Sequence, residues 1–436
     1  MKKRIVAVAI SGIIIVIPVV LFVRVKIAER AWAQSLGDLE SLPDRFHGEK
    51  NETTEMFSDW SSDLGLTSVV GGKASALDPG VADAIAAIAK YVSAVQTSDA
   101  AAPAAPPPVV WQYVTDHSAV LDDIGKWTAT HPAPSWPMTF LEMKPVANFV
   151  TIMKLEKILI AAACVRDRDG DSRGAERLLL ASWKINEGLR DRPELIAQLF
   201  AIAIFRMQCT AVRKIHVDPV AWQRRIEDHD YRSTVQRSFA VEAWLLGRRV
   251  KSNVYADPTY IAEMRAFNAS IGGGAIGYVD RPRSIVLLTT PVRWFDLPAL
   301  MEGWREIIVD AQRSPISDGG SENLDQAFER GFARWSFIPE PDMRPVKLSA
   351  ALKRVDRVIA EAEFTEKVLF ARAAREANGG RWPASIPGFA SSRIEHGQWL
   401  YEPSGDRLTI RFSRELHWPN LLGDSIPLRV TLTSST

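Results

Sequence analysis

The spacing of apolar and polar residues predicts a chain that is mainly helical from residue 78 onward. Asp78-Pro79 is typical of a helix start, and Ile85, Ile88 and Val92 lie three or four residues apart on one face. The same spacing, interrupted by proline, glycine and aspartate, predicts further helices over 143–165, 173–190, 194–215, 218 onward, 231–251, 298–313, 323–332 and 347–378. Two adjacent hairpins within 143–215 predict an antiparallel helical-hairpin stack, loosely tetratricopeptide-like in layout.

Near the C-terminus the pattern changes from helical spacing to alternation. Apolar and polar residues alternate over 398–402, 407–413 and 426–433, and Gly405-Asp406 separates the first two segments. Alternation with a turn of this kind predicts a small antiparallel β-sheet. The expected fold class is therefore mainly α with a small C-terminal sheet.

The N-terminus carries the longest uncharged apolar run. Ile5 to Val23 is a stretch of nineteen residues without a charge, and Lys2, Lys3 and Arg4 precede it. At ~1.5 Å per residue such a helix spans roughly 28 Å, close to the ~30 Å hydrocarbon core of a bilayer. We therefore expect a single-pass transmembrane anchor, with the N-terminus cytoplasmic and the body extracytoplasmic. Ala31-Trp32-Ala33 leaves a cleaved signal peptide as the alternative.

An apolar stripe continues beyond the anchor and predicts an amphipathic stem over 24–42. This stem either packs on the protein's own domain or pairs with a second copy to form a homo-dimer. An Ala/Pro tract further along predicts an extended spacer. The expected division is an anchor and stem (1–42), a small N-terminal region (43–96), an Ala/Pro linker (97–108), a helical domain (109–380) and a β-rich subdomain (381–436).

Charge and cysteine content exclude several classes of protein. Fifty-three basic and fifty-two acidic residues give a net charge of +1, which offers no electrostatic footprint for nucleic acid. Two cysteines, Cys164 and Cys209, are too few for a disulfide scaffold or a cysteine-only zinc site. Both lie in apolar helical patterns, so they are either two buried thiols or one disulfide.

Three apparent motifs lack the structural context that their chemistry requires. Gly170 to Gly174 matches a nucleophile elbow, but a helix rather than a strand precedes the serine. The aspartates at 167, 169 and 171 imitate a calcium loop, yet Ser172 and Leu178 stand where glycine and glutamate are needed. Gly272 to Gly277 matches a dinucleotide fingerprint without a strand before it. We expect no catalytic residue, metal site or cofactor from these motifs.

Two polar residues remain in apolar helical settings as weak binding candidates. Gln198 lies between Ile196 and Phe200, and Glu242 lies between Val241 and Trp244. Each is either part of a functional site or a hydrogen-bonded core residue. A separate group of polar residues is interpreted as a solvated helix face: Glu361, Glu363 and Glu366.

The segment from Phe370 to Ser385 ends a long helix with Asn378-Gly379 and continues through Trp382-Pro383. It resembles the Asn-Gly-x-aromatic-Pro helix exit of major pseudopilins of type II secretion. It also resembles uncharacterised, membrane-anchored helical proteins of bacteria, which share a hairpin turn like the one at 168–171. The resemblance implies an accessory component of a secretion or pilus system.

These observations favour an envelope-anchored helical scaffold or protein-interaction module, because stacked helical hairpins commonly expose peptide-binding surfaces. The partners expected are the membrane, through Ile5 to Val23, and an unidentified protein. Two alternatives stay open at this point. One is an extracytoplasmic hydrolase whose dispersed residues form a site only in the fold, and the other is the secretion or pilus component.

Overall fold

The computed structural model describes the chain from residue 50 to residue 433 with several gaps. The described residues are 50–66, 69–70, 73–74, 79–136, 148–228, 230–252, 293–316, 324–333, 348–416 and 428–433, together with isolated positions between 19 and 34. Most of the predicted anchor and stem, and the glycine-rich segment at 272–277, lie outside them.

The chain divides into two compact units. The large unit contains residues 45–235, 315–320 and 350–436, and the small unit contains 1–44, 236–314 and 321–349. This division does not follow the Ala/Pro tract that predicts a linker, because residues on both sides of the tract belong to the large unit.

The described elements are mainly helical, as predicted. The helices are α1 (Glu52–Asp63), α2 (Pro79–Thr97), α3 (Pro108–Asp116), α4 (Ser118–Thr130), α5 (Phe149–Arg168), α6 (Ser172–Arg190), α7 (Leu195–Lys214), α8 (Pro219–Glu227), α9 (Tyr231–Ser252), α10 (Arg293–Arg313), α11 (Leu324–Ala333) and α12 (Leu348–Ala377). The strands are β1 (Val69–Val70), β2 (Lys73–Ala74), β3 (Trp399–Ser404), β4 (Arg407–Phe412) and β5 (Arg429–Thr433).

Helices α5, α6 and α7 form the centre of the large unit and pack against one another. Asn148 caps α5 by accepting from the Thr151 N–H, and Asp171 caps α6 by accepting from the Gly174 N–H. Within the described part of the chain, α7 is the one helix long and apolar enough to cross a membrane, and 67% of its apolar window is buried in the fold. Helix α7 is therefore placed as a core helix.

The C-terminal sheet confirms the alternating pattern. Strand β4 pairs antiparallel with β3 on one side and with β5 on the other. Buried residues of the sheet and of α12 form one apolar cluster. It includes Phe364 of α12, Trp399 of β3, and Ile410 and Phe412 of β4. The exit from α12 is a glycine cap, since Gly379 and Gly380 have φ angles of 68° and 81° and Asn378 Nδ2 donates to the Arg381 carbonyl.

Three helices near the N-terminal side of the large unit were not predicted as individual elements: α1, α3 and α4. Helix α1 buries the polar residues Thr53 and Thr54, whose hydroxyls donate to the carbonyls of Pro132 and Ser135. Because these contacts join residues about eighty positions apart, local periodicity did not reveal them.

Side chains from three helices of the large unit donate hydrogen bonds to backbone carbonyls of the Ala/Pro tract. Lys214 Nζ donates to the Ser98 carbonyl at 2.9 Å, and Tyr91 Oη donates to the Ala104 carbonyl at 3.0 Å. Arg168 donates to the carbonyl of Pro103, which is buried. These three bonds show that the tract packs on the helices of the large unit.

The small unit contains α10 and α11, which pack against each other. Gly331 allows the two helices to approach, because a Cβ at that position would lie 2.6 Å from the Glu302 carbonyl oxygen. Arg330 pairs with Asp310 at 2.8 Å, and Gln236 of α9 donates to the Ala311 carbonyl. These contacts hold the described helices of this unit together.

Candidate functional site

A line of polar side chains crosses the apolar interior of the large unit. Ser182, Asn186 and Arg190 are spaced four residues apart on α6 and therefore share one face of that helix. Glu156 of α5 and Gln208 of α7 approach the same face. We call these five residues the polar seam.

Four members of the polar seam form a directional chain of hydrogen bonds. Asn186 Nδ2 donates to Gln208 Oε1 at 3.2 Å, and Gln208 Nε2 donates to Ser182 Oγ at 2.8 Å. Ser182 Oγ in turn donates to Glu156 Oε2. All four side chains are fully buried, so each satisfied bond removes a desolvation cost of about 1–3 kcal/mol.

Burial sets the electrostatics of the acid in the seam. Desolvation raises the pKa of Glu156 well above its usual range, opposed by the Ser182 hydrogen bond and by the charge of Arg190. Burial of this kind disfavours the charged form of the carboxyl group. Although a raised pKa can mark a general acid, no substrate larger than a solvent molecule can reach a side chain that is fully buried.

Arg190 lies at the end of the seam in an aromatic environment. Its guanidinium carbon is 3.9 Å from the centroid of the Trp183 ring, and it also faces Phe205 and Tyr231 at 5.7 and 5.8 Å. Cation–π contacts of this kind stabilise a desolvated arginine. Arg190 is therefore held as a buried cation in the core.

The sequence prediction missed the polar seam, although a signal was present. Ser182, Asn186 and Arg190 recur at four-residue spacing on the same helix face as its apolar residues. Polar residues at core spacing indicate a buried network when complementary groups lie on neighbouring helices. Only the fold shows which groups those are.

Gln198, one of the two predicted binding candidates, has a capping role in the structure. Its Nε2 atom donates to the carbonyls of Leu189, Arg190 and Arg192 at 3.2, 2.9 and 2.5 Å. These carbonyls lie at and just beyond the C-terminus of α6, where helix carbonyls lack intrahelical partners. Gln198 therefore fixes the α6–α7 turn, in line with the hydrogen-bonded alternative.

Glu242, the other candidate, is half-buried on α9 in the small unit. Gln198 belongs to the large unit. The two residues are thus placed in different units, and neither unit contains both.

Replacing Gln198 with leucine should lower the free energy of unfolding by about 1–3 kcal/mol, because buried carbonyls lose their shared donor. Denaturant titration of the full chain measures this change. The matched control is Gln112→Leu, since Gln112 is exposed and its amide donates to Asp116 four residues away on the same helix. The control should change stability by less than about 0.5 kcal/mol. Equal effects of the two substitutions would contradict the capping role.

The three glutamates predicted as a solvated face of α12 are not solvated, and that prediction is wrong: Glu361 and Glu363 are buried, and Glu366 is half-buried. Glu361 pairs with Arg206 at 2.6 Å, and Glu363 accepts from Trp399 Nε1 at 2.6 Å. Glu366 pairs with Arg393 at 2.7 Å. Long-range partners on α7 and in the C-terminal region neutralise the three acids, which helix periodicity alone did not show.

The turn at 167–171 has the structural role expected of a cap between helices. Asp167 Oδ1 accepts from the His216 N–H and from Ser172 Oγ, at 3.0 and 3.2 Å. Over the described residues, no group of three or more histidine, cysteine, aspartate or glutamate side chains could hold a metal ion. The turn holds α5, α6 and the end of α7 together.

Cys164 and Cys209 are two free, buried thiols in the structure. Burial raises the pKa of each thiol to about 12. Because the thiolate is the reactive form, neither side chain is a candidate nucleophile.

Exposed apolar side chains occur where α5 and α7 begin. Val150 and Ile196 are 56% and 48% exposed. Beside them the rings of Phe149 and Phe200 stack at 5.1 Å, which places the two helix starts next to each other. We call these four residues the end patch. Exposed apolar side chains on rigid helices are typical of interaction surfaces. In the end patch Val150 and Ile196 are exposed, whereas Phe149 and Phe200 are half-buried.

No protein family, curated protein or solved structure matches the chain. The inference of function therefore rests on the chain's own residues.

Proposed function

We propose that the chain is a membrane-anchored, extracytoplasmic helical interaction module whose hairpins stack in a loosely tetratricopeptide-like way. The end patch supports this proposal most directly, because it presents apolar surface on helices that are fixed by capping and core packing. The apolar run from Ile5 to Val23 supports the anchor.

The polar chemistry of the large unit supports binding over catalysis. Glu156 and Ser182 are fully buried, and Glu361 and Glu363 are buried against partners from other elements. Groups that hold a fold together in this way are unsuited to meet a substrate. By contrast, Val150 and Ile196 lie open to a protein partner.

A photo-crosslinking amino acid placed at position 150 tests the proposal. In membranes carrying the full chain, irradiation should link position 150 to a partner protein. The same amino acid at Val220, which is 48% exposed on α8, is the matched control and should give no such adduct. Ile196→Asp in the position-150 protein should reduce the adduct about tenfold, since an apolar contact worth ~1.4 kcal/mol is lost.

The outcome that counts against the module is equally specific. Absence of any adduct at position 150, or the same adducts at positions 150 and 220, would show that the end patch binds no defined partner. Circular dichroism of each variant checks that the helical fold is intact, so that loss of the adduct reports binding.

A further inference from the structure

The outer face of the C-terminal sheet is basic. Along β4 and β5, residues alternate between the buried apolar cluster and the outside of the sheet. The residues that point outward are called the arginine face: Arg407, Thr409, Arg411, Arg429, Thr431 and Thr433. The antiparallel register places them in three cross-strand pairs, which are Arg411–Arg429, Thr409–Thr431 and Arg407–Thr433.

Positive charge exceeds negative charge on this face. Within the described strands β3, β4 and β5, Glu402 of β3 is the one acid. Glu402 Oε1 accepts from Nε and Nη2 of Arg411 at 3.1 and 2.7 Å. That hydrogen bond, together with the charges of Arg411 and Arg429, lowers the pKa of Glu402. Arg407 and Arg429 are exposed and form no ion pair with the described residues.

The cross-strand pair of Arg411 and Arg429 is unfavourable in the free chain. Like charges directly opposite each other on adjacent strands destabilise a sheet. Glu402 offsets this repulsion in part, because it pairs with Arg411. A bound anion that reached both guanidinium groups would offset the remainder.

The residue types on the arginine face limit the class of anion. The planar guanidinium group of arginine binds carboxylates and phosphates through two parallel hydrogen bonds. Apart from arginine, the face contains only threonine. It therefore offers no aromatic ring on which a nucleic-acid base could stack and no large apolar side chain to enter a lipid surface. Carboxylates of a protein partner fit this composition best.

The spacing of the cross-strand pairs matches an extended polypeptide. Successive outward pairs lie ~7 Å apart along the strands, and alternate side chains of an extended segment have the same separation. Acidic residues four positions apart in such a segment would therefore meet Arg407 and Arg411, which are four positions apart on β4. Between them, the hydroxyls of Thr409 and Thr431 lie 3.3 Å from each other and add polar contacts.

We propose that the arginine face binds an extended acidic segment of a partner protein. Its carboxylates pair with Arg407 and Arg429 and compete with Glu402 for Arg411. This surface is separate from the end patch, which lies at the starts of α5 and α7, and the proposal does not depend on what the end patch binds.

A short fluorescent peptide of alternating glutamate and serine tests the face. Fluorescence anisotropy measures its binding to the full chain in detergent at low ionic strength, where exposed ion pairs are least screened. Arg407→Gln combined with Arg429→Gln should weaken binding about tenfold, because two exposed charge pairs are lost. The matched control combines Arg173→Gln with Arg224→Gln, which removes the same charge from exposed positions on α6 and α8. It should change the affinity less than about twofold.

A third variant gives an effect of the opposite sign. Glu402→Gln should raise the affinity for the peptide about threefold, because Arg411 loses its internal partner. Unchanged or weaker binding by this variant would contradict the competition for Arg411. Circular dichroism of each variant checks that the fold is intact.

The outcomes that overturn the proposal are distinct. One is failure of the unmodified chain to bind the glutamate peptide, and another is equal weakening by the two double variants. Single-stranded DNA and soluble short-chain phosphatidylglycerol serve as competing anions. If either displaced the fluorescent peptide at a lower concentration than the unlabelled peptide does, the face would bind that anion and the proposed protein segment would be wrong.

Discussion

Replacing Trp399 with alanine should lower the free energy of unfolding by about 3–5 kcal/mol, the range for removing a buried tryptophan. The side chain is 1% exposed, and its ring stacks on Phe364 of α12 at a centroid distance of 5.4 Å. It also meets Phe412 of β4 edge-on at 5.0 Å. Trp399 thus joins α12 to the sheet, and its loss opens a cavity between them. Denaturant titration of the full chain, followed by tryptophan fluorescence and circular dichroism, measures the change.

Two further substitutions separate packing from hydrogen bonding at this position. Trp399→Phe keeps a ring against Phe364 but leaves Glu363 Oε1 without its 2.6 Å donor, so a loss of about 1–3 kcal/mol is expected. Trp111→Ala is the surface control, because Trp111 is 43% exposed and makes one longer bond to Asp169. If Trp111→Ala and Trp399→Ala were equally destabilising, the assigned core between α12 and the sheet would be wrong.

Replacing Glu156 with glutamine should change how stability depends on pH. Because desolvation raises the folded-state pKa of Glu156 above its unfolded value of about 4.5, folding takes up a proton between these two pKa values. The stability contributed by this group is complete below the unfolded pKa and is lost as pH rises toward the folded pKa. In that window the unmodified chain should lose up to ~1.4 kcal/mol per pH unit relative to Glu156→Gln.

The measurement is a series of denaturant titrations of both proteins between pH 4 and pH 9. The pKa values of Asp191 and Glu366 are also raised, chiefly by desolvation, so the raw curve of either protein mixes several acids. Subtracting one curve from the other isolates Glu156, since both proteins retain the other acids. A difference curve that stays flat from pH 5 to pH 8 would show that Glu156 is ionised in the fold.

The local sequence pattern was sufficient to predict most of the helices and strands. Proline at the starts of α2 and α8, and glycine at the exit of α12, specify backbone conformation through their own covalent structure. The strands from Trp399 to Thr433 alternate buried and exposed residues, so their period was visible in the sequence. Elements with a local physical cause could therefore be predicted.

Elements and contacts that depend on distant partners could not be predicted in this way. Helix α1 is held by threonine hydroxyls that bond to residues after α4. Glu363 looked solvated because its partners Trp399 and Arg393 follow it by thirty or more residues. The polar seam could not be predicted for the same reason, because the hydrogen bonds of Ser182 are made with Glu156 and Gln208 on neighbouring helices.

The burial of α7 has a consequence for export of the chain, if its body is extracytoplasmic as we propose. A polypeptide that crosses a membrane unfolded presents each apolar segment to the lipid before its fold exists, and α7 is long and apolar enough to partition there. Arg206 lies near the middle of this segment, where a charged side chain costs roughly 2.5–3.5 kcal/mol to insert. The residue that pairs with Glu361 in the finished fold would thus also oppose lateral escape of α7 during translocation.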